Sequence, residues 1–264
     1  MGLFSCGNTR NYLKKYGYGT IALPREGIKP LLMFVKKGDR LTPLGPLTST
    51  FLPGTSPVPT ANRHQSAAVS GEQSKSIDAA IGLSILGNVI GALAGSALGL
   101  DVAYKKASKV QFEFGEVMEE TIDITALDQF LSNGSVTGSI GNFVKQALEK
   151  DEVYVAVATL DARQISVQAT DSSQVGVKVD VPVIQQIVGG KIAVSSGGAG
   201  SSKITYASNT TPLSFGLKVV RLIVDKGKYT TMKTVKPDVG AEAVAAGGGG
   251  EAPDVLGPEL RFEL

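Results

Sequence analysis

Hydrophobic positions recur along this chain with two periods, and the places where the period changes divide it into elements. GTIALP and IKPLLMFVKKG form two extended pieces separated by Pro24, Gly27 and Pro30, and proline's missing ladder donor predicts edge strands. Val110, Phe112 and Phe114 alternate with Gln111 and Glu113 in KVQFEFGEV, which predicts another strand. The region from 152 onward is strand-rich. After EVYVAVATL, the run RQISVQATDSSQVGVKVDV places Ile165, Val167 and Ala169 on one face and Ser166, Gln168 and Thr170 on the other. Asp171, Ser172 and Ser173 supply a turn, and the return limb alternates Val175, Val177, Val179 and Val181 against Gly176, Lys178 and Asp180. Two alternating limbs of about nine residues match a membrane-spanning β-hairpin, which needs about 9–11 residues per strand. They also match an ordinary half-buried hairpin, the commoner arrangement, and the two descriptions can belong to different states of one protein. Short apolar runs at 192–194 and 204–206 flank SSGGAGSS, and GLKVVRLIVDKGKYTTMKTV supplies the last strand.

Helical spacing appears in three places. The stretch 123–131 has an acidic start and places Leu127, Phe130 and Leu131 on one side, with Asn133 and Gly134 as a stop. The stretch 140–149 repeats the spacing through Phe143, Val144, Ala147 and Leu148. The third, AAIGLSILGNVIGALAGSALGL at 79–100, carries no charge and is followed by Lys105, Lys106 and Lys109. A helix of that length, rising about 1.5 Å per residue, would cross the roughly 30 Å of a bilayer's hydrocarbon. Gly87, Gly91, Gly95 and Gly99 would give it a ridge along which backbones approach closely. A buried core helix is the competing description, since each glycine costs about 1 kcal/mol relative to alanine and Ser84, Asn88 and Ser96 are polar. Between the strands and this segment, 41–76 is broken by Pro43, Pro46, Pro53, Pro57 and Pro59 and reads as an exposed loop.

The pattern stops abruptly near the end. Residues 237–253 are dominated by Ala and Gly, with Val239 and Val244 the larger apolar exceptions, and read as a tether. VLGPELRFEL then recovers apolar character, with Leu260, Phe262 and Leu264 alternating with Glu259, Arg261 and Glu263. The chain thus divides into a domain at 1–236, an exposed tether at 237–253 and a docking peptide at 254–264. A terminal peptide with one greasy face is expected to dock on something.

Composition narrows the function classes. The 264 residues carry 26 basic and 24 acidic side chains, a net charge of +2, so the footprint of a nucleic-acid binder is missing. Thirty-two glycines and no tryptophan describe a loosely packed, plastic protein. A single cysteine allows no internal disulfide, and MGLFSCGNTRNYLKKYGYG has no apolar core of signal-peptide length, so the cytoplasm is the expected compartment. Enzyme chemistry finds little material. His64 is the one histidine and lies in the proline-rich loop, which leaves His-based metal sites and nucleophile pairs without parts. GGAGSSK at 197–203 fits neither phosphate-binding spacing, and Glu119 and Glu120, pointing to opposite faces of a strand, read as solvated charge. No metal, cofactor or catalytic group is expected. Cys6, among Gly2, Leu3, Phe4 and Gly7, is either an inert thiol or an acylation point, although it occupies the Ser/Thr place of the N-myristoylation pattern.

The whole arrangement resembles the bacterial gasdermins. A short leader with a cysteine, LKKYGYGTIALPREGIKPLLMF as opening strands, the Gly/Ala-rich segment, KVQFEFGEV, the alternating hairpin and a short C-terminal tail follow in that family's order. The resemblance implies an α+β fold, a twisted and mostly antiparallel central sheet with surrounding helices, which converts to membrane β-hairpins after activation. It implies a palmitoyl group on Cys6 and a tail whose Leu256, Leu260, Phe262 and Leu264 make autoinhibitory contacts. It further implies a partner protease that removes the tail, with Val244 as the expected point, and a monomer that becomes a homo-oligomer among inner-membrane lipids. Cell killing as antiphage defence follows from the same likeness. Two rivals remain: a permanently membrane-anchored scaffold held by 79–100, and a soluble β-rich lipid carrier.

Overall fold

The computed structural model describes residues 16–25, 27–37, 40–67, 69–70, 77–79, 83, 86, 99–188, 192–196, 201–208, 212–237 and 255–256. At its centre is β10 (Val153–Ala162), every residue of which is buried. Such a strand has neighbours along both edges and cover on both faces, and its sequence is correspondingly apolar throughout. One edge pairs antiparallel with β14 (Leu213–Asp225). The other pairs first with β2 (Leu32–Lys37), then with β8 (Met118–Thr121). Farther out, β1 (Gly19–Arg25) and β15 (Lys228–Thr234) join β14, β3 (Arg40–Pro46) joins β2, and β5 (Asn62–Gln65) joins β8. These form an eight-stranded sheet.

Alternation sends Val153, Val155 and Val157 of β10 to one face and Tyr154 and Ala156 to the other. The first face is covered by α2 (Ile124–Asn133) and α3 (Asn142–Glu149), whose Leu127, Phe130, Leu131, Ala147 and Leu148 share a core with Val220 and Leu222 of β14. The opposite face buries Ile28, Phe34, Leu41, Leu217, Val219 and Val235. Helix α2 starts where Asp123 caps it, the carboxylate oxygen accepting from the Thr125 and Ala126 amides at 2.7 and 3.1 Å. The two helices expected at 123–131 and 140–149 therefore form within a few residues of their sequence bounds.

Two expectations are corrected here. β2 is an interior strand between β10 and β3, because Pro30 lies outside it and leaves its ladder donors intact. The stretch 41–76 is more ordered than its prolines suggested. It contains β3, a 3-10 turn at Leu47–Ser49, β4 (Phe51–Leu52) paired with β9 (Ser135–Val136), and β5. Pro43 and Pro46 are tolerated because, among the described residues, β3 has a partner on one side only, and Leu47 and Phe51 anchor the stretch in the core.

A second sheet of five strands is wholly antiparallel, in the order β12 (Ile192–Ser196), β13 (Lys203–Ser208), β11 (Gln164–Thr170), β7 (Lys109–Gly115) and β6 (Ile77–Asp78). Against it lie α1 (Leu100–Ala103) and α4 (Val181–Val188). Two residues of β16 (Lys236–Pro237) pair in parallel with two of β17 (Val255–Leu256). The expected α+β class, mostly antiparallel sheet flanked by helices, is what the chain folds into.

Candidate membrane-active sheet and its cover

The three middle strands of the second sheet carry the simplest alternation in the molecule, and their registers align it. Phe114, Ile165 and Tyr206 stand in one cross-strand row, and Phe112, Val167 and Ile204 in another. Val110 and Ala169 begin a third. All of these but Phe114 are buried, in a cluster completed by Ile192 of β12. Residues of the other parity are polar: Gln111, Gln168 and Lys203 share a row, and so do Glu113, Ser166 and Thr205. On this face Ser166 Oγ and Thr205 Oγ1 are 2.7 Å apart, and Lys203 Nζ reaches across β11 to Glu113 Oε2, also at 2.7 Å. The sheet has one aliphatic and aromatic face and one water-compatible face.

Helical pieces seal the apolar face. Leu100 and Ala103 of α1, Ile184 of α4, and Ala79 and Leu86 are buried in the same cluster, with Leu83 packed against it. The apolar side of 79–100, as far as it is described, therefore faces the sheet, and among the described residues no helix is long and apolar enough to cross a membrane. Most of the glycine-ridged segment lies outside the described residues. Within the seal, the hydroxyls of Tyr104, just after α1, and Tyr206, on β13, are 2.8 Å apart. Burial pushes both phenols well above their ordinary range; the shared hydrogen bond partly offsets this for Tyr104 and adds to it for Tyr206. A cavity of about 420 Å³ opens between α1 and α4, lined by Val102, Lys105, Lys106, Lys178, Pro182 and Ser196 among others.

The two-limbed hairpin expected at 165–181 is not formed in this state. β11 carries the outward limb as read, with Ile165, Val167 and Ala169 buried, but its ladder partners are β7 and β13. The return limb makes a single bridge, Thr170 to Gly176, with further bonds from the Val177 amide to the Ala169 carbonyl and from the Asp171 amide to the Val175 carbonyl. The reason is local. Asp171 Oδ1 accepts from the Ser173 and Val175 amides and tightens the turn. Asp180 then caps α4 by accepting from the Val183 amide, and Pro182 has no donor with which to extend a ladder. Of the return valines, Val175 is exposed, Val179 is buried, and Val177 and Val181 pack against the core rim.

Where the two sheets meet, Phe114 and Phe215 stack with centroids 4.1 Å apart. Beside them runs a polar network that sequence reasoning missed. Glu119 accepts the Tyr18 hydroxyl and faces His64 Nε2 at 3.5 Å, while Glu120 and Asp161 hold Arg63 Nη1 at 3.3 and 3.1 Å. Asp161 also sits 2.7 Å from Ser214 Oγ, and Lys218 Nζ lies 4.0 Å over the Tyr18 ring. Burial raises the Tyr18 phenol, with Glu119 adding to it, and lowers the Lys218 ammonium against the opposing pull of Glu119. The description of Glu119 and Glu120 as merely solvated charge is thus corrected: the β5–β8 register sets His64 opposite Glu119 and Arg63 opposite Glu120. The residues are paired across strands, which only the register could reveal.

Cys6, Val244, Leu260, Phe262 and Leu264 lie outside the described residues. The backbone of Leu256 pairs with that of Pro237, which brings the start of the terminal peptide to the end of the domain. Comparison with known proteins identifies the pattern. The model of the Bacterial Gasdermin Family matches residues 21–228. A gasdermin of Lysobacter enzymogenes is 37% identical over 253 residues, spanning 94% of this chain and 93% of that one. One from a Desulfuromonadales bacterium is also 37% identical, over 84% of each chain. The structure of a bacterial gasdermin from Bradyrhizobium tropiciagri aligns with a TM-score of 0.62 at 17% identity, covering 85% of this chain and 90% of that one.

Proposed function

The chain belongs to the Bacterial Gasdermin Family, and from that membership we propose that it is an autoinhibited pore-forming protein. Removal of the C-terminal peptide by a partner protease releases a domain that carries palmitate on Cys6. That domain oligomerises in the inner membrane and kills the cell, as antiphage defence. The single observation that carries the reading is the second sheet, whose apolar face is sealed by short helical pieces while its opposite face is already polar.

The energetics follow from that division. A strand whose apolar residues sit on one face can exchange a protein cover for lipid at little hydrophobic cost, because both surroundings exclude water. Backbone groups at a sheet edge cannot make that exchange, since each unpaired one costs several kcal/mol in hydrocarbon. Insertion therefore requires a closed ring of subunits, and the uncut monomer stays outside the bilayer. Palmitate at about 0.8 kcal/mol per methylene holds the released domain at the surface while the ring assembles. The Pro237 to Leu256 pairing supports a tail that stays docked until the intervening chain is cut.

The deciding experiment is dye release from liposomes by the protein cut between 237 and 253, against the intact chain. Rapid release by the cut protein alone is expected. Sealed vesicles with a cut, folded, monomeric protein would end the proposal. The burial of Ala79 and Leu86 in the sheet's core weighs against a permanent anchor at 79–100.

A further inference from the structure

We infer that the water-facing wall of the membrane pathway is charge-balanced by Glu113 and Lys203, and that these two residues set its preference between cations and anions. This rests on the pore-forming reading above. A membrane barrel presents apolar side chains to lipid and polar ones to its lumen. Because strand side chains alternate, a one-residue slip would turn the whole apolar set to the wrong side. Strands β7, β11 and β13 that keep their register on insertion therefore turn Phe112, Val167 and Ile204 to lipid and the Glu113 and Lys203 rows to water.

That face carries few charges. In its two central rows Glu113 and Lys203 are the ionic residues, joined at 2.7 Å across the intervening strand. Lys109, in the end row opposite Thr170, stands in register with Asp78 of β6. Glu113 and Lys203, in adjacent rows, thus offset each other, and the two central rows carry no net charge across β7, β11 and β13. In a ring of identical subunits, neutralising one member of the central pair changes the net charge of these rows by one unit per subunit, all at the same height. Rings of like charge are what select ions by sign. The pair lies on a partly solvated surface, with side-chain exposures of 40% for Lys203 and 23% for Glu113, so its removal leaves the apolar core untouched.

The test uses the full chain with a specific protease sequence placed in 237–253, cut in situ at a planar bilayer under a potassium chloride gradient. The dilute side is held at about 0.01 M, where the screening length is about 30 Å. Equal melting temperatures before cutting establish that the variants are folded. The cut parent should show a reversal potential near zero. Lys203→Gln should move it toward the potassium equilibrium potential and Glu113→Gln toward that of chloride, and the double variant should return to the parent's value. Conducting pores with one unchanged reversal potential in all four proteins would overturn this inference alone. Absence of conductance from every cut protein would instead overturn the pore-forming reading itself.

Discussion

Tyr104 and Tyr206 share a hydrogen bond of 2.8 Å between their hydroxyls inside a core cluster that is otherwise hydrocarbon. Both residues are almost completely buried, at 2% and 1% exposure, so the two groups depend on each other. Tyr206→Phe or Tyr104→Phe alone strands the remaining hydroxyl and should destabilise the intact chain by about 1–3 kcal/mol, whereas the double variant should recover most of that loss. Urea unfolding of the four proteins measures the coupling. Strictly additive losses would show that the bond contributes nothing of its own.

Gly54 lies against the end of α2, where a Cβ would fall 1.7 Å from the Asn133 carbonyl oxygen. The same loop is tied by Asn133 Nδ2 donating to Ser56 Oγ at 3.0 Å, so it cannot simply swing away. Gly54→Ala is expected to cost about 1–3 kcal/mol through overpacking. Gly138→Ala, with nothing within 4 Å of its added carbon, serves as the unaffected control. Thermal melts of both variants decide the matter.

Alkaline pH should unfold the intact chain. The buried phenols of Tyr104 and Tyr206 hold their protons above the ordinary value of 10. Below pH 10 folded and unfolded chains are equally protonated at these groups, and their contribution is intact. Above it the unfolded chain sheds protons that the folded chain keeps, so stability falls by up to about 1.4 kcal/mol per pH unit for each group. Lys218, lowered by burial, acts in the opposite sense up to its unfolded value of about 10.4. Phenolate absorbance and circular dichroism followed together should change in one step above pH 10. Full ionisation of the tyrosines with the fold retained would contradict the burial.

Replacing Cys6 with alanine should leave the melting temperature unchanged and weaken toxicity in cells. Mass spectrometry of the parent protein should reveal a thioester-linked acyl group that the variant lacks. Undiminished killing by a chain that never carries the acyl mass would remove lipidation from the mechanism.

The natural cut is expected between 236 and 250, with Val244 as the single position of choice. Terminal sequencing of the fragment released in cells locates it. A cut within β14 or β15 would dismantle the eight-stranded sheet and is incompatible with an active fragment.

Legibility in the sequence followed the strength of the side-chain pattern. Val110, Phe112 and Phe114 announced β7, and Asp123 with Leu127, Phe130 and Leu131 announced α2, because burial of one face requires those periods. β5 could not be read, since Asn62, Arg63, His64 and Gln65 are all exposed and hold their place by backbone pairing to β8. The return limb at 175–181 misled because valines at alternate positions serve a turn, a core rim and a helix start equally well. Asp180 before Val181 and Pro182 was the available sign of a helix N-terminus. The polar pairs escaped for a different reason: Lys203 and Glu113 are far apart in the chain, and only the ladder order brings them together.

The parallel pairing of Lys236–Pro237 with Val255–Leu256 spans two residues on each side, and so small a contact is weak by itself. While the chain between them is continuous, one partner is presented to the other at an effective concentration of the millimolar order. Severing any bond in 238–254 alters no atom of that contact, yet it makes reassociation depend on the peptide's concentration in the whole cell. A thousandfold dilution, worth about 4 kcal/mol, is then imposed on the dock by a single hydrolysis. In the activation proposed above, release is thus driven by the loss of confinement, and the liberated peptide would be too dilute to restore the docked contact.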